Sequence, residues 1–284
     1  MTRKGIRHAA AACAELPLVN AAALRHVLGV TDAIIHVRDL CKRFDDFTAV
    51  DGVSFDVPRG ATTALLGANG AGKTTTLAML LGVLLPTSGT VSVLGHDMTR
   101  DRHKAMPAVN FSSPYVDLPR RLTVAQTLRF FAKLFGVPNA RERVREMADV
   151  LDLTGHMRQR MGSLSAGQKT RVSLAKALIN APEVLILDEP TASLDPDTGD
   201  WMRGYLESYQ RESGCAILLA SHNMGEVERL CDDVLMMRQG RIVDRGAPST
   251  LIGRYGRVNM EEVFLDIARD RVRGDAAATD VAAQ

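Results

Sequence analysis

A glycine-rich octapeptide at residues 67–74, Gly-Ala-Asn-Gly-Ala-Gly-Lys-Thr, constrains the fold of this 284-residue chain more than any other feature. It follows an apolar stretch, Ala61–Leu66, that is typical of a buried strand, and it precedes a helical pattern that begins near Lys73. Glycine adopts backbone conformations that other residues avoid, so the octapeptide predicts a tight loop between a strand and a helix. This order of elements indicates an α/β fold.

Three later stretches are also typical of buried strands, and they are Val184–Leu187, Ala216–Ala220 and Val234–Met237. Helical patterns separate such strands, which predicts a parallel sheet covered on both faces. Shorter apolar or alternating segments occur near residues 34–37, 53–57 and 91–94, and we expect them to form a separate antiparallel layer. Residues 124–179 follow a mainly helical pattern.

The octapeptide also fits the nucleotide-binding P-loop pattern GxxxxGK(S/T). Its glycines let successive backbone N–H groups point at phosphate oxygens, and the helix that follows presents its positive dipole end to the same anion. Lys73 is expected to reach the β- and γ-phosphates, and the Thr74 hydroxyl can bind Mg²⁺. The alternative is a glycine-rich turn before an ordinary helix. The candidate phosphate-binding residues are Gly67, Asn69, Gly70, Ala71, Gly72, Lys73, Thr74 and Thr75.

Two acids, Asp188 and Glu189, end the apolar stretch Val184–Leu187. Asp188, at the carboxyl end of the strand, can hold Mg²⁺, usually through a water molecule. Glu189 would then lie beside the γ-phosphate, where it can orient and deprotonate water. For the acidic pair alone, a solvated turn after a strand is the alternative.

Residues 164–168 read Leu-Ser-Ala-Gly-Gln, and a helical pattern follows them. The acidic strand end comes 20 residues after Gln168, and then come residues 193–195, Ser-Leu-Asp, and His222. With the P-loop, this order of motifs resembles the nucleotide-binding subunit of ATP-binding cassette (ABC) transporters, whose signature is LSGGQ. The resemblance covers about residues 33–245. It implies a P-loop NTPase cassette with a RecA-like parallel-sheet core, an antiparallel β layer and an inserted helical subdomain.

The resemblance also implies roles for the signature residues. Ser165, Gly167 and Gln168 of one subunit would cover the γ-phosphate held by Lys73 of another, so the active site would be composite. Asp195 matches the aspartate of the loop that crosses this dimer interface. Taken by themselves, Ser165 and Asp195 suit helix N-caps, which is the structural alternative.

Two further positions match family residues that touch the nucleotide. His222 matches the switch histidine that contacts the γ-phosphate and the catalytic glutamate, although a histidine at a strand end is often a polar cap. Phe44 aligns with the aromatic residue that stacks on adenine, and plain packing is its alternative. The implied catalytic residues are Glu189, His222 and Lys73, and the implied Mg²⁺ ligands are Thr74 and Asp188.

One position departs from the family pattern. The family places a glutamine after the strand that ends near Phe111, where it senses Mg²⁺ and links the catalytic core to the helical subdomain. Here that position falls at Ser113 or Pro114. A serine hydroxyl has a shorter reach, which puts the coupling between the ATP state and a partner in doubt and predicts slower hydrolysis.

We expect three parts along the chain. Residues 1–32 form a mobile or loosely helical N-terminal extension rather than a secretory signal, because acidic and proline residues interrupt its apolar stretch. Residues 33–255 form the ATP-binding domain, with the helical subdomain at about residues 112–180. Residues 256–284 comprise a C-terminal helix and a disordered tail.

The segment Arg257–Asp266 resembles the ending of ATPase subunits in exporters of drugs, lipids or polysaccharides, whose permease is a separate chain. It is also compatible with an amphipathic helix that docks on its own domain through Val263, Phe264 and Ile267. The two interpretations do not exclude each other.

The leading hypothesis is therefore an ATPase subunit that dimerises with a second copy of itself around MgATP and drives an integral-membrane permease, with export of a drug, lipid or polysaccharide. The sequence contains no run of about 20 mostly apolar residues, the length that a spanning helix needs. We expect a peripheral location at the cytoplasmic face of the cell membrane. Four widely spaced cysteines without a CxxC pair are typical of a reducing cytosol.

Two alternatives belong to other functional classes. One is a soluble ABC ATPase that acts on nucleic acid or on a cofactor-assembly complex. The net charge of +2 lies within residues 1–32, so the cassette has no basic surplus and nucleic acid is not expected as a partner. The other is an ATP-sensing module that barely hydrolyses ATP, which the missing glutamine would favour.

Overall fold

The structure is a computed structural model, and it describes residues 32–113, 118–192 and 194–268. Its strands are β1 (Ala33–Phe44), β2 (Phe47–Pro58), β3 (Thr62–Leu66), β4 (Ser88–Val93), β5 (His96–Asp97), β6 (Val109–Ser112), β7 (Val184–Asp188), β8 (Ala216–Ser221), β9 (Asp233–Arg238) and β10 (Arg241–Gly246). Its α-helices are α1 (Lys73–Leu80), α2 (Arg102–Ala105), α3 (Val124–Leu134), α4 (Ala140–Val150), α5 (Ala166–Leu178), α6 (Pro196–Ser213), α7 (Met224–Leu230), α8 (Pro248–Tyr255) and α9 (Met260–Ala268). Short 3₁₀ helices lie at Met106–Ala108, Thr154–His156 and Met161–Ser163.

A six-stranded sheet forms the centre of the fold, in the order β10-β9-β3-β8-β7-β6. The strands from β9 to β6 are all parallel, and β10 joins the edge as an antiparallel partner of β9. Every residue of β3, β7 and β8 is buried, as the unbroken apolar runs predict for strands covered on both faces. The α/β class and the parallel sheet are confirmed.

A second sheet has four strands in the order β2-β1-β4-β5. The pairs β1–β4 and β4–β5 are antiparallel. In β2 the apolar residues Val53, Phe55 and Val57 are buried and alternate with more exposed polar ones, as their period of two predicts. The antiparallel layer is therefore confirmed, although β1 extends to Phe44, well past the predicted strand at residues 34–37.

Two apolar cores cover the two faces of the six-stranded sheet. Alternate strand residues point to opposite faces, so Leu185 and Leu187 of β7 contribute to one core while Val184 and Ile186 contribute to the other. The first core contains buried residues of α3, α4, α5, α6, α7, α8 and α9. The second contains the inner residues of the antiparallel sheet and of α1. The central sheet is thus held between a helical layer and a β layer.

Helices α3, α4 and α5 form the helical region predicted within residues 124–179. Thr123 and Ser165 begin α3 and α5 with capping boxes, in which the side-chain oxygens of Gln126 and Gln168 accept a hydrogen bond from the backbone N–H of the capping residue. At the other end of the chain, α9 packs Val263, Phe264 and Ile267 against the first core, as the docking interpretation predicts. In the part of the chain that the structure describes, no helix is long and apolar enough to cross a membrane.

The predicted N-terminal extension, apart from Asp32, and the predicted tail after Ala268 lie outside the described residues. The same holds for Pro114 and Ser193. The described residues from Ile34 onward belong to one compact unit.

Candidate functional site

Three strands of the central sheet end side by side, and each is followed by a predicted site residue. Leu66 of β3 lies opposite Ser221 of β8, and Asp188 of β7 lies opposite Ala220 of β8. Because the strands are parallel, the glycine-rich loop, the acidic pair and His222 leave the sheet at one edge. Ligands of open α/β sheets bind at this carboxyl edge.

The glycine-rich loop approaches its neighbours too closely for larger residues at two positions. A Cβ on Gly67 would lie 2.4 Å from the carbonyl oxygen of Met237, and one on Gly72 would lie 2.5 Å from that of Ala49. Gly72 also has a φ of +106°, which favours glycine. Close packing against β9 and β2 therefore requires glycine at both glycine positions of the pattern.

The loop ends in a helix N-terminus that no side chain caps. Gly72 is the N-cap of α1, and the first backbone N–H groups of a helix have no intrahelical partner. The loop beside this helix end is exposed at Ala68, Asn69 and Gly70, and Thr74 is exposed as well. Uncapped N–H groups beside an open loop form a site suited to phosphate.

The Lys73 side chain forms hydrogen bonds back to the glycine-rich loop. It is 8% exposed, and its Nζ donates hydrogen bonds to the carbonyl oxygens of Gly67 at 2.5 Å and Ala68 at 3.2 Å. Burial lowers the pKa of Lys73, while the negative charges of Glu189 and Asp188 oppose that shift. The lysine and the acidic pair thus interact across the strand ends, as their predicted roles require.

The buried Asp188 is the first member of the acidic pair. Burial and the neighbouring Glu189 raise the pKa of its carboxyl, and Lys73 lowers it. A buried carboxylate beside a like charge favours a cation as its partner. Its donor chemistry therefore fits Mg²⁺, which prefers oxygen ligands.

The side chains of Glu189 and His222 are in contact at the strand ends, with His222 Nδ1 2.6 Å from Glu189 Oε2. Glu189 is nearly buried, and its backbone has a φ of +52°, a left-handed conformation that turns the chain away from the strand. The His222 side chain is 63% exposed. The histidine therefore bonds a buried carboxylate while much of its ring faces solvent.

The signature residues belong to a different part of the described structure. The Ser165 hydroxyl caps α5 by accepting a hydrogen bond from the Gln168 backbone, and the Gln168 side chain lies 3.2 Å from His156. Asp195 caps α6 in the same way, and this hydrogen bond lowers the pKa of its carboxyl. Among the hydrogen bonds and ion pairs of the described residues, none joins residues 165–168 or Asp195 to the glycine-rich loop.

Phe44 and Ser113 complete the predicted set. Phe44 is 44% exposed at the end of β1 and lies outside both apolar cores, with Lys42 Nζ 4.9 Å from its ring centroid. Burial in a core therefore does not explain this aromatic residue. Ser113 is buried and follows β6, whose last residue, Ser112, lies opposite Leu187. Ser113, one of the two candidates for the position where the family has its glutamine, thus follows the strand that pairs with β7, which ends in Asp188.

One buried carboxyl near the site was not identified from the sequence. Glu226 on α7 accepts a hydrogen bond from Ser221, the residue before His222. Its spacing, four residues after His222, could have indicated that it lies near the site. Its burial could not have been predicted from residue type, because most glutamates lie at the surface.

Comparison with known proteins identifies the family. A family model described as "ABC transporter" matches residues 50–192. The Nod factor export ATP-binding protein I of Ralstonia nicotianae is 39% identical over 235 residues, which cover 82% of this chain and 73% of that protein. The probable multidrug ABC transporter ATP-binding protein YbhF of Escherichia coli is 34% identical over 246 residues, covering 84% of this chain and 42% of that protein.

Solved structures agree with this result. One described as the ATP binding subunit of an ABC transporter has a TM-score of 0.76 at 25% identity, and the match covers 83% of this chain and 99% of that chain. CbiO1 from Clostridium perfringens, described as part of the ABC transporter complex cbiONQ, has a TM-score of 0.71 at 31% identity, covering 84% and 97%. This chain therefore belongs to the ATP-binding subunits of ABC transporters.

Proposed function

We propose that this chain is the ATP-hydrolysing subunit of an exporter, that two copies close around two MgATP, and that this closure moves a separate membrane permease. The observation that carries the proposal is the Glu189–His222 pair, which leaves the sheet at the edge where Lys73 and Asp188 also lie. A carboxylate held in place beside a phosphate-binding loop is suited to activate water.

The residues at this edge fit a nucleotide and a magnesium ion. The backbone of residues 67–75 and the ammonium of Lys73 would hold the phosphates, and the Thr74 hydroxyl and the Asp188 carboxylate would hold Mg²⁺. When bound, Mg²⁺ neutralises charge on the phosphate oxygens. Phe44 would stack on adenine, a kind of contact that contributes about 1–3 kcal/mol per base.

Each catalytic side chain then has a role in hydrolysis. Glu189 would orient the attacking water and accept its proton. His222 would hold the Glu189 carboxylate through Nδ1 and present its exposed edge to the γ-phosphate. Lys73 and the N–H groups at the start of α1 would stabilise the negative charge that develops in the transition state.

The location of the signature supports a composite site between two copies. Ser165, Gly167 and Gln168 start α5, away from the hydrogen-bonded network of the glycine-rich loop in the same chain, and Ser165 is exposed. In the proposed dimer these residues and Asp195 of one copy would cover the nucleotide held by the other.

Export through a separate permease is supported by the relatives, whose names give Nod factor export and multidrug transport. On α3, Phe130 and Leu134 are exposed one turn apart, which suits a docking surface for a protein partner.

We propose a peripheral location at the cytoplasmic face of the membrane. Residues 33–255 would be the ATP-binding domain, with a helical subdomain at about 112–180, and residues 256–284 would be a C-terminal helix and tail.

Steady-state ATP turnover of the purified chain tests the ATPase function. Glu189→Gln should lower turnover by about 10²–10⁴-fold, since it removes the base, and should leave ATP binding intact. Glu212→Gln makes the same change at an exposed position on α6 and should keep the parental rate. Parental turnover in Glu189→Gln would show that another group activates water.

A further inference from the structure

A buried carboxyl group, that of Glu226, is bonded to the segment that carries His222. Glu226 is 1% exposed, and its Oε2 accepts a hydrogen bond of 2.6 Å from Ser221 Oγ. Ser221 Oγ in turn accepts a hydrogen bond of 3.0 Å from the Asn223 backbone. Asn223 Oδ1 accepts a hydrogen bond of 3.2 Å from the Glu226 backbone. The residues on both sides of His222 are therefore tied to Glu226 in a closed ring.

The same carboxyl group interacts with the segment that follows Glu189. Burial raises the pKa of the Glu226 carboxyl, the hydroxyls of Ser221 and Thr191 lower it, and the negative charge of Glu189 raises it further. Thr191 is itself buried and lies two residues after Glu189. The hydrogen bonds of Glu226 itself join the segment after β8, which carries His222.

One oxygen of Glu226 has spare hydrogen-bonding capacity. Oε1 is buried, and among the described residues no hydrogen-bond partner lies within ordinary distance of it. Leaving a buried acceptor unsatisfied costs about 1–3 kcal/mol. An acid is therefore a costly choice at this position if the residue only fills space, and an apolar side chain would avoid that cost.

We propose that Glu226 is a positioning residue for ATP hydrolysis, which holds the segment after β8 in place so that His222 stays within hydrogen-bonding distance of Glu189. This inference rests on the proposed ATPase function and deepens it. Glu226 acts through Ser221 and His222 and need not touch the nucleotide.

Kinetics of the full chain separate positioning from binding. Glu226→Ala should lower kcat by about 10–100-fold, the size expected when a catalytic group is displaced by about 1 Å. The KM for ATP should change less than about 3-fold, because the phosphate-binding residues are unaffected. Glu226→Gln keeps the shape and an acceptor for Ser221, so it should retain kcat within about 3-fold. Parental kcat in Glu226→Ala, or a loss confined to KM, would overturn the proposal.

A double-mutant cycle separates positioning from general damage to the fold. If Glu226 acts through His222, then Glu226→Ala should lower kcat by less than about 3-fold when His222 is already replaced by alanine. A full additional loss in that background would overturn the proposal. Ser221→Ala is the second variant if Glu226→Ala does not fold, because it removes the hydroxyl with its 2.6 Å bond to Glu226 and its 3.0 Å bond from the Asn223 backbone while the Glu226 side chain stays in place. It should lower kcat by about 10-fold, the lower end of that displacement range, and an unchanged kcat would overturn the proposal.

A second readout does not depend on turnover. The ring resonances of His222 in NMR spectra should shift in Glu226→Ala and stay close to parental in Glu226→Gln, because only the former frees the segment around the histidine. Unchanged resonances in Glu226→Ala would overturn the positioning role. An inactive parent chain whose His222 resonances respond as expected would contradict the proposed ATPase function alone.

Discussion

At the scale of single residues, the positively charged side chain of Lys73 is buried. Its Nζ donates to two neutral carbonyl oxygens, those of Gly67 and Ala68, while Glu189 and Asp188 favour its charged form. Phosphate oxygens are stronger acceptors than carbonyls, because hydrogen bonds between charged groups are shorter and stronger. ATP binding would therefore exchange weaker partners for stronger ones without moving the ammonium far.

We predict that Lys73→Ala lowers ATP affinity by about 10–100-fold, since a hydrogen bond to a charged group contributes about 1.5–3 kcal/mol. Titration with a fluorescent ATP analogue measures this change directly. Lys104→Ala is the matched control, because Lys104 is an exposed lysine paired with Asp101 on α2, and it should bind ATP like the parent. If Lys73→Ala also bound ATP like the parent, the glycine-rich loop would not be the phosphate site.

At the scale of elements, α5 and α6 contact each other through side chains near their N-terminal ends. The Arg171 guanidinium of α5 lies 4.2 Å from the ring centroid of Trp201 on α6, and Trp201 stacks on Tyr205. Gly167 of the signature approaches Thr198 of α6, within 3.5 Å of an added Cβ. These contacts join the signature helix to the helix that Asp195 caps.

We predict that Arg171→Met lowers the free energy of unfolding by about 1–2 kcal/mol, because the change keeps the apolar stem and removes the cation–π interaction with Trp201 together with the longer guanidinium contacts to the Leu151 carbonyl and Asp152. Trp201 is the single tryptophan of the chain, so its fluorescence in a urea titration reports this region. Arg158→Met alters an exposed arginine of the same helical region and should leave the unfolding midpoint unchanged. Equal midpoints for all three proteins would mean that Arg171 does not stabilise the contact.

The elements that sequence patterns predicted are those whose signal is local. The strands β3, β7 and β8 are continuous apolar runs, and the loop at residues 67–74 has a fixed spacing of glycines. Helix α6 was indicated only by the N-cap alternative for Asp195, because two glycines interrupt its apolar pattern and a row of stacked aromatic side chains supports it. Edge strand β10 was not predicted either, because its two apolar side chains, Ile242 and Val243, are adjacent and do not alternate with polar ones. The Glu189–His222 and Glu226–Ser221 contacts depend on tertiary packing, which residue type alone does not encode.

At the scale of the whole molecule, the nearly neutral cassette is divided into two parts of opposite charge. Residues 112–180 have 12 Lys and Arg against 5 Asp and Glu, a net charge of +7. Residues 33–111 and 181–284 together have 19 against 26, a net charge of −7. In the proposed dimer, the positive helical part of each copy would face the negative nucleotide-binding part of the other. Opposite charges across an interface speed association and set its orientation.

We predict that the ATP-bound dimer of Glu189→Gln weakens by about 10-fold or more between about 50 mM and about 500 mM NaCl, because salt shortens the distance over which exposed charges interact. Sedimentation velocity measures the dissociation constant at each salt concentration. Reversing two exposed arginines of the positive part, Arg158→Glu with Arg160→Glu, should reduce this dependence, since fewer attractive charge pairs remain to be screened. Arg211→Glu makes a like change in the negative part and should preserve or increase the dependence. A dissociation constant that does not vary with salt would show that apolar contacts and ATP, rather than the division of charge, orient the two copies.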